Sequence, residues 1–553
     1  MSNYTIKANF IDIFHRETFP AAITVTDGII SSVEKVSGPV EDYILPGFVD
    51  AHIHIESSML VPTEFARLAV VHGTVATVSD PHEIANVCGI EGVRYMIANS
   101  KQTPLKICFG APSCVPATFF ETAGAVIDST AIRELLSDPD IWYLAEMMNY
   151  PGVLFGDPEV MAKLKAAREA GKPIDGHAPG LRGDQVKTYA GAGITTDHES
   201  FSYEEAVDKL HSGIKCLIRE GSAARNFDAL IPVLREFPGQ VMFCSDDKHP
   251  DELLLHHINN HVKRALGLGY DLYDTLYAAS AAPVLHYQLP VGLLRVGDPA
   301  DFIITDHPDQ MNIKRTYING ELVASDGRPL LPSIHVDPIN QFDTHPIAPE
   351  ILRVKATAGS EKLRVIEAVE GQLITNELLL EGRNMDGYWV SDVERDILKI
   401  VVLNRYKPDV PPAIAFIRNF ALSKGAIAST VAHDCHNIIA VGVDDESIAA
   451  AINELVRVQG GVAVAFNAQE VTSLPLPVAG LMSADDGYKV AAAYIEIDQK
   501  ARALGTPLKA PFMTLSFMAL LVIPALKLSD KGLFSGASFS FTSLEEVNAT
   551  AVI

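Results

Sequence analysis

Between residues 46 and 288 the chain alternates short apolar runs with amphipathic stretches, and this alternation limits the fold more than any other feature. The runs are "FVDAHIHI", "GTVATVSD", "LKICFGA", "WYLAEMM", "PIDGHAP", "GITTDHE", "IKCLIRE" and "VMFCSDD". Each has the length of a strand. The segments between them have helical spacing, as in "PEVMAKLKAAREAGK", where Gly171 supplies a stop. Strands separated by helices pair in parallel, because a parallel connection needs a crossover of that length. Eight such units in about 240 residues match the size of a (β/α)8 barrel.

The flanks have a different texture. Asp27-Gly28, Asn319-Gly320 and Asp326-Gly327 are hairpin turn signals between short alternating runs. Residues 1–45 and 289–344 are therefore expected to form one small β-sandwich domain, with the barrel, 46–288, inserted into it. Residues 345–553 read as a separate α+β domain. There "DDESIAAAINELVRVQGG" predicts a helix capped by Asp444 or Asp445, with Ile448, Ile452, Leu455 and Val456 on one face and Gly460-Gly461 as its end.

Barrel enzymes carry their chemistry at the C-terminal ends of the strands. The first strand ends in His52, His54 and Glu56, at alternate positions that share one face of a strand. The second ends in Asp80, His82 and Glu83. The fourth carries Glu146, the fifth His177, the sixth His198, and the eighth Asp246 followed by Asp247. A single buried histidine is ordinarily a hydrogen-bonded core residue. Several imidazoles and carboxylates converging on one barrel mouth are too costly to bury unpaired, and they suit a divalent metal such as Zn²⁺, Mn²⁺, Fe²⁺ or Co²⁺. Six ligands exceed one tetrahedral ion and suit two, bridged by a carboxylate.

The formal net charge of −25 over 553 residues argues against a nucleic-acid partner and against an anionic membrane surface. The N-terminal "MSNYTIKANFIDIF" lacks the pattern of a secretion signal. "APFMTLSFMALLVIPAL" is broken by Thr514, Ser516 and Pro524 and reads as a buried element. These features predict a cytoplasmic protein. Two histidine groups lie outside the barrel set. His433, Cys435 and His436 in "VAHDCHN" are expected to pack at the barrel mouth or to line the pocket from a neighbouring subunit. "HHINNH", with His256, His257 and His261, is expected to form a polar helix face.

The blocks "LPGFVDAHIHIESS", "DPHEIANV", "DGHAPG", "TDHES", "SDDKHPDELL", "VGLLRVGDPADFII" and "RNFALSKGAIASTVAHDCHNIIAVGVDD" resemble those of the adenine deaminases, within the amidohydrolase superfamily. The resemblance spans essentially the whole chain. It implies hydrolysis of adenine to hypoxanthine and ammonia by a metal-activated hydroxide, in purine salvage or adenine catabolism. It implies a binuclear divalent centre, with Mn²⁺ first and Fe²⁺ or Zn²⁺ as alternatives. His52 and His54 would hold one ion, His177 and His198 the other, and Glu146 would bridge them. Asp246 would be both ligand and proton shuttle, with Asp247 as its competitor. An acid on the substrate side would come from Glu56 or Glu83. A homodimer or tetramer is the expected assembly. The alternative activity is that of an amidohydrolase opening a cyclic amide or removing an N-acyl group.

Overall fold

The eight apolar runs become the strands of one parallel barrel. In the computed structural model, which describes residues 3–222 and 224–546, they are β1 (Phe48–His54), β2 (Thr74–Ser79), β3 (Lys106–Ala111), β4 (Ile141–Met147), β5 (Ile174–Gly176), β6 (Thr196–Asp197), β7 (Lys215–Arg219) and β8 (Val241–Cys244). Neighbours in this order are hydrogen-bonded. β1 and β2 are buried along their whole length, as parallel strands covered on both faces must be.

Closure uses a break in the last strand. After β8 the chain passes through Ser245, and Asp246–Asp247 then pair in parallel with the end of β1, Asp246 opposite Ile53 and Asp247 opposite His54. The break has a specific anchor. Ser245 donates from its backbone N–H and its Oγ to the Asp50 carboxyl, at 3.0 and 2.5 Å. The same carboxyl lies 2.8 Å from His257 Nε2. Asp246 then adopts a left-handed φ of 56°, an uncommon conformation for a residue with a side chain.

Strands from both sides of the barrel meet in a single eight-stranded sheet. Phe302–Thr305 pairs antiparallel with Tyr43–Pro46, which joins the two chain segments. At Asp27-Gly28, Asn319-Gly320 and Asp326-Gly327 both turn residues have positive φ, the geometry that matches strand twist in tight hairpins. Beyond residue 345 a second eight-stranded sheet carries helix Asp445–Val458 on one face. Residues on the sheet's other face, among them Ile400, Val441 and Val464, are continuous with the core that includes the barrel.

Three local expectations are corrected. β1 ends at His54, and Ile55–Ser58 form a 3-10 turn, so Glu56 does not share the strand face of His52 and His54. Helix Asp445–Val458 stops at Gln459, whose φ is 59°, one residue before the glycines. His257 and His261 do not form a polar face. Both are buried, His257 on Asp50 and His261 against Phe243. Among the described residues no helix is long and apolar enough to cross a membrane, and "APFMTLSFMALL" is buried against the core as expected.

Candidate metal centre and active site

Glu146, at the end of β4, stands between two groups of imidazoles. Its Oε2 is 2.6 Å from His177 Nδ1 and 3.2 Å from His198 Nε2. Its Oε1 is 3.3 Å from His54 Nε2 and 3.4 Å from His82 Nδ1. Asp246 Oδ1 approaches from the broken strand, 3.2 Å from His54 Nε2 and 3.6 Å from His52 Nε2. Thus His52, His54, Glu146, His177, His198 and Asp246 converge on one buried cluster.

The surroundings fix the orientation of these groups. His54 Nδ1 lies 3.1 Å from the Asp80 carbonyl oxygen, to which it donates, so that Nε2 faces inward with a lone pair. Asp80 also holds His82, accepting its backbone N–H at 3.0 Å and facing Nδ1 at 2.9 Å. Asp197, beside His198, accepts from the backbone N–H of Ala178 and of Glu199 and from Lys209 Nζ. It thereby ties the loops after β5 and β6 together.

The donor chemistry fits divalent metal ions. His52 Nε2 and His54 Nε2 face each other at 3.2 Å, although a neutral ring has only one N–H to offer. His52 Nδ1 and His177 Nε2 are buried without a hydrogen-bond partner among the described residues. Burial alone would raise the Glu146 carboxyl pKa, but His177, His198 and His54 hold it well below the usual range. Imidazole and carboxylate donors without thiolate are the set that binds Zn²⁺, Mn²⁺ or Fe²⁺ in catalytic centres.

Asp246 and Asp247 have different partners. Asp246 Oδ2 accepts from Arg219 Nη1 at 2.5 Å, whereas Asp247 Oδ1 accepts from Ser57 Oγ at 2.5 Å. Both line the cavity above the cluster. Glu83 lies there too, and one of its oxygens is 2.5 Å from His433 Nδ1 while the other meets His436 Nε2. Glu56 does not line the cavity. Its Oε1 accepts from the Ile84 backbone N–H at 3.2 Å, in the first turn of helix His82–Ser100. Burial raises its pKa to about 7.

Several residues at the site escaped the sequence reading, among them Arg219, Glu199, Asp434 and Phe517. Arg219 ends β7, and Glu199 binds its guanidinium with both carboxyl oxygens. Strand position would have found Arg219, and adjacency to His198 would have found Glu199. Asp434 and Phe517 come from the C-terminal domain; Asp434 lies within "VAHDCHN", expected at the barrel mouth, whereas no local pattern marks Phe517. The histidines of "VAHDCHN" reach the barrel mouth within the same chain. The cavity has a free volume of about 20 Å³, and Leu373, Phe517 and Leu520 are among its lining residues. That is room for about one water. A cavity of about 440 Å³ lies beyond Phe517, lined also by His249, Glu252, Tyr494 and Lys509.

Family models and relatives together cover nearly the whole chain. The amidohydrolase family model matches residues 43–323, and the adenine deaminase C-terminal domain model matches residues 372–540. An adenine deaminase from Salinibacter ruber is 53% identical over 541 residues, covering 98% of each chain. One from Methanosarcina mazei is 52% identical over 545 residues, covering 97% of this chain and 98% of its own. A solved β-aspartyl dipeptidase from Fervidobacterium islandicum superposes with a TM-score of 0.45 at 14% identity, covering 60% of this chain and 98% of its own. With both models matched in order and relatives more than half identical along nearly the whole chain, the protein belongs to the adenine deaminase family of amidohydrolases.

Proposed function

We propose that the protein hydrolyses adenine to hypoxanthine and ammonia, with the proton transfers carried by side chains around the Glu146 cluster. The observation that carries this reading is the placement of Glu146 between His54 and the pair His177 and His198, in a chain of this family. His52, His54 and Asp246 would hold one divalent ion, His177 and His198 a second, and Glu146 would bridge them. Bound there, the metal supplies a Lewis acid that makes water nucleophilic near neutral pH.

The remaining chemistry belongs to the protein. Asp246 is the base that takes a proton from the attacking water and passes it to the exocyclic amine, so that ammonia rather than an amide ion leaves. Arg219 holds Asp246 from behind and leaves Oδ1 facing the cluster. Leu373, Phe517 and Leu520 exclude bulk water once substrate is in place. Glu83 acts on the substrate side through the imidazoles it binds, and Glu56 acts indirectly by anchoring helix His82–Ser100.

Mn²⁺ is the proposed native metal, with Fe²⁺ or Zn²⁺ as alternatives, and a dimer or tetramer in the cytoplasm the proposed working form, serving purine salvage. The proposed domain limits are 1–45 with 289–344, 46–288, and 345–553. The test is to incubate metal-loaded protein with adenine, adenosine and guanine. Hypoxanthine and equimolar ammonia from adenine alone are expected. Absence of hypoxanthine with Mn²⁺, Fe²⁺ and Zn²⁺ alike would overturn the reading.

A further inference from the structure

The segment between strands Ala426–Ser429 and Ile438–Gly442 leaves the C-terminal sheet and enters the barrel mouth. It carries His433, which is 2% exposed. His433 Nδ1 is 2.5 Å from Glu83 Oε1, and its ring stacks on Phe517 at 4.4 Å with an interplanar angle of 11°. Its other nitrogen, Nε2, is buried without a hydrogen-bond partner among the described residues. The nearest carboxyl oxygen to it is Asp247 Oδ1, at 4.0 Å. His433 lines the same cavity as His54, Glu146, His198 and Asp246.

Both oxygens of Glu83 are engaged by imidazoles. One faces His433 and the other His436. His436 is itself committed at both nitrogens, because its Nδ1 accepts from the Ala432 backbone N–H at 3.2 Å. Of these three groups only His433 presents an uncommitted polar atom to the cavity. A carboxylate on one ring nitrogen with the other aimed at a reaction space is the arrangement by which an imidazole is oriented for proton transfer.

We propose that His433, oriented by Glu83, is the acid that protonates the purine ring nitrogen adjacent to C6. This deepens the adenine reading and rests on it. Addition of water to C6 moves an electron pair onto that ring nitrogen. His433 starts as the imidazolium, with Nδ1–H on Glu83; as the pair moves, its Nε2–H bond breaks, a ring N–H bond forms and the imidazole is left neutral. The first proton of the water goes to Asp246 and then to the amine, which departs as ammonia. The second, released as the C6 hydroxyl becomes a carbonyl, replaces the proton that His433 gave up. Adenine and water thus become hypoxanthine and ammonia with no net change in the protein. A purely structural histidine, holding Glu83 and stacking on Phe517, has no need for a buried Nε2 left unpaired, which is a costly arrangement.

The test compares wild type, H433N and H433A, each full length and with metal per chain measured. Asparagine retains an N–H for Glu83 and lacks the second nitrogen. H433N is expected to lose about 10²–10⁴-fold in kcat on adenine, the usual worth of a positioned acid, with KM changed by less than about threefold and metal content unchanged. H433A is expected to regain activity in proportion to added imidazole. H433N with a kcat within about threefold of wild type would overturn the proposal. So would activity lost only in step with metal, without imidazole rescue. If wild type itself forms no hypoxanthine, the adenine reading falls first, and the mutant comparison is not what decides it.

Discussion

Arg219 Nη1 lies 2.5 Å from Asp246 Oδ2, and the same guanidinium holds Glu199 through both carboxyl oxygens. The acid proposed to move the proton is therefore fixed from the side facing away from the imidazoles. Arg219 and Glu199 are each 1% exposed. Arg219→Gln leaves two buried carboxylates without their cation, a loss on the order of 3–5 kcal/mol. It is expected to lower both the melting temperature and kcat. Arg219→Lys is expected to rescue poorly, since one ammonium cannot reproduce the fork that spans both acids. Thermal denaturation and steady-state assays of the two variants check this. Wild-type activity in Arg219→Lys would count against the positioning role.

Lys527 makes stability depend on pH. Its Nζ is buried, donates to the carbonyl oxygens of Leu373 at 2.6 Å and Phe517 at 2.8 Å, and burial lowers its pKa to about 7. In the unfolded chain it titrates near 10.5. Between these values the unfolded state binds the extra proton, so stability rises with pH from about 7 to 10.5 and the penalty is fullest below 7. The shift corresponds to at most about 5 kcal/mol. The melting temperature of Lys527→Met is expected to rise less between pH 7 and 10 than that of wild type. Parallel curves for the two proteins would refute this assignment.

Glu56 separates a helix anchor from a substrate acid. Glu56→Gln keeps the oxygen that accepts from Ile84 N–H and is expected to retain activity within about threefold. Glu56→Ala removes the acceptor at the start of helix His82–Ser100 and is expected to cost about 1–2 kcal/mol of stability. Steady-state assays and denaturant unfolding of the pair distinguish the roles. A loss of about 100-fold in kcat in Glu56→Gln would instead identify it as an acid.

The strands and their order were legible because hydrophobic periodicity is local. His52, His54, Glu146, His177, His198 and Asp246 followed from asking which residues end those strands. Glu56 was misplaced for a local reason as well. Alternation continues it along β1 on paper, but the chain leaves the strand after His54 and turns through Ile55–Ser58. The sequence places "VAHDCHN" at the barrel mouth, but the individual contacts of His433 and Asp434 with Glu83 and His82 were not legible. They join residues some 350 positions apart, and nothing in the composition of "VAHDCHN" says which barrel side chains the loop meets. Lys527 was invisible for the opposite reason, since a lysine in a strand normally reads as a solvent-facing charge.

This chain is proposed to deaminate adenine with divalent metal ions that the residues of the Glu146 cluster would hold. The direct measurement is to strip the protein with a chelator, return Mn²⁺, Fe²⁺ or Zn²⁺ in known increments, and follow hypoxanthine formation against metal bound per chain. Activity rising from the baseline to a plateau at two ions per chain is the predicted result. Undiminished hypoxanthine formation by the stripped protein, or a plateau at one ion, would contradict it.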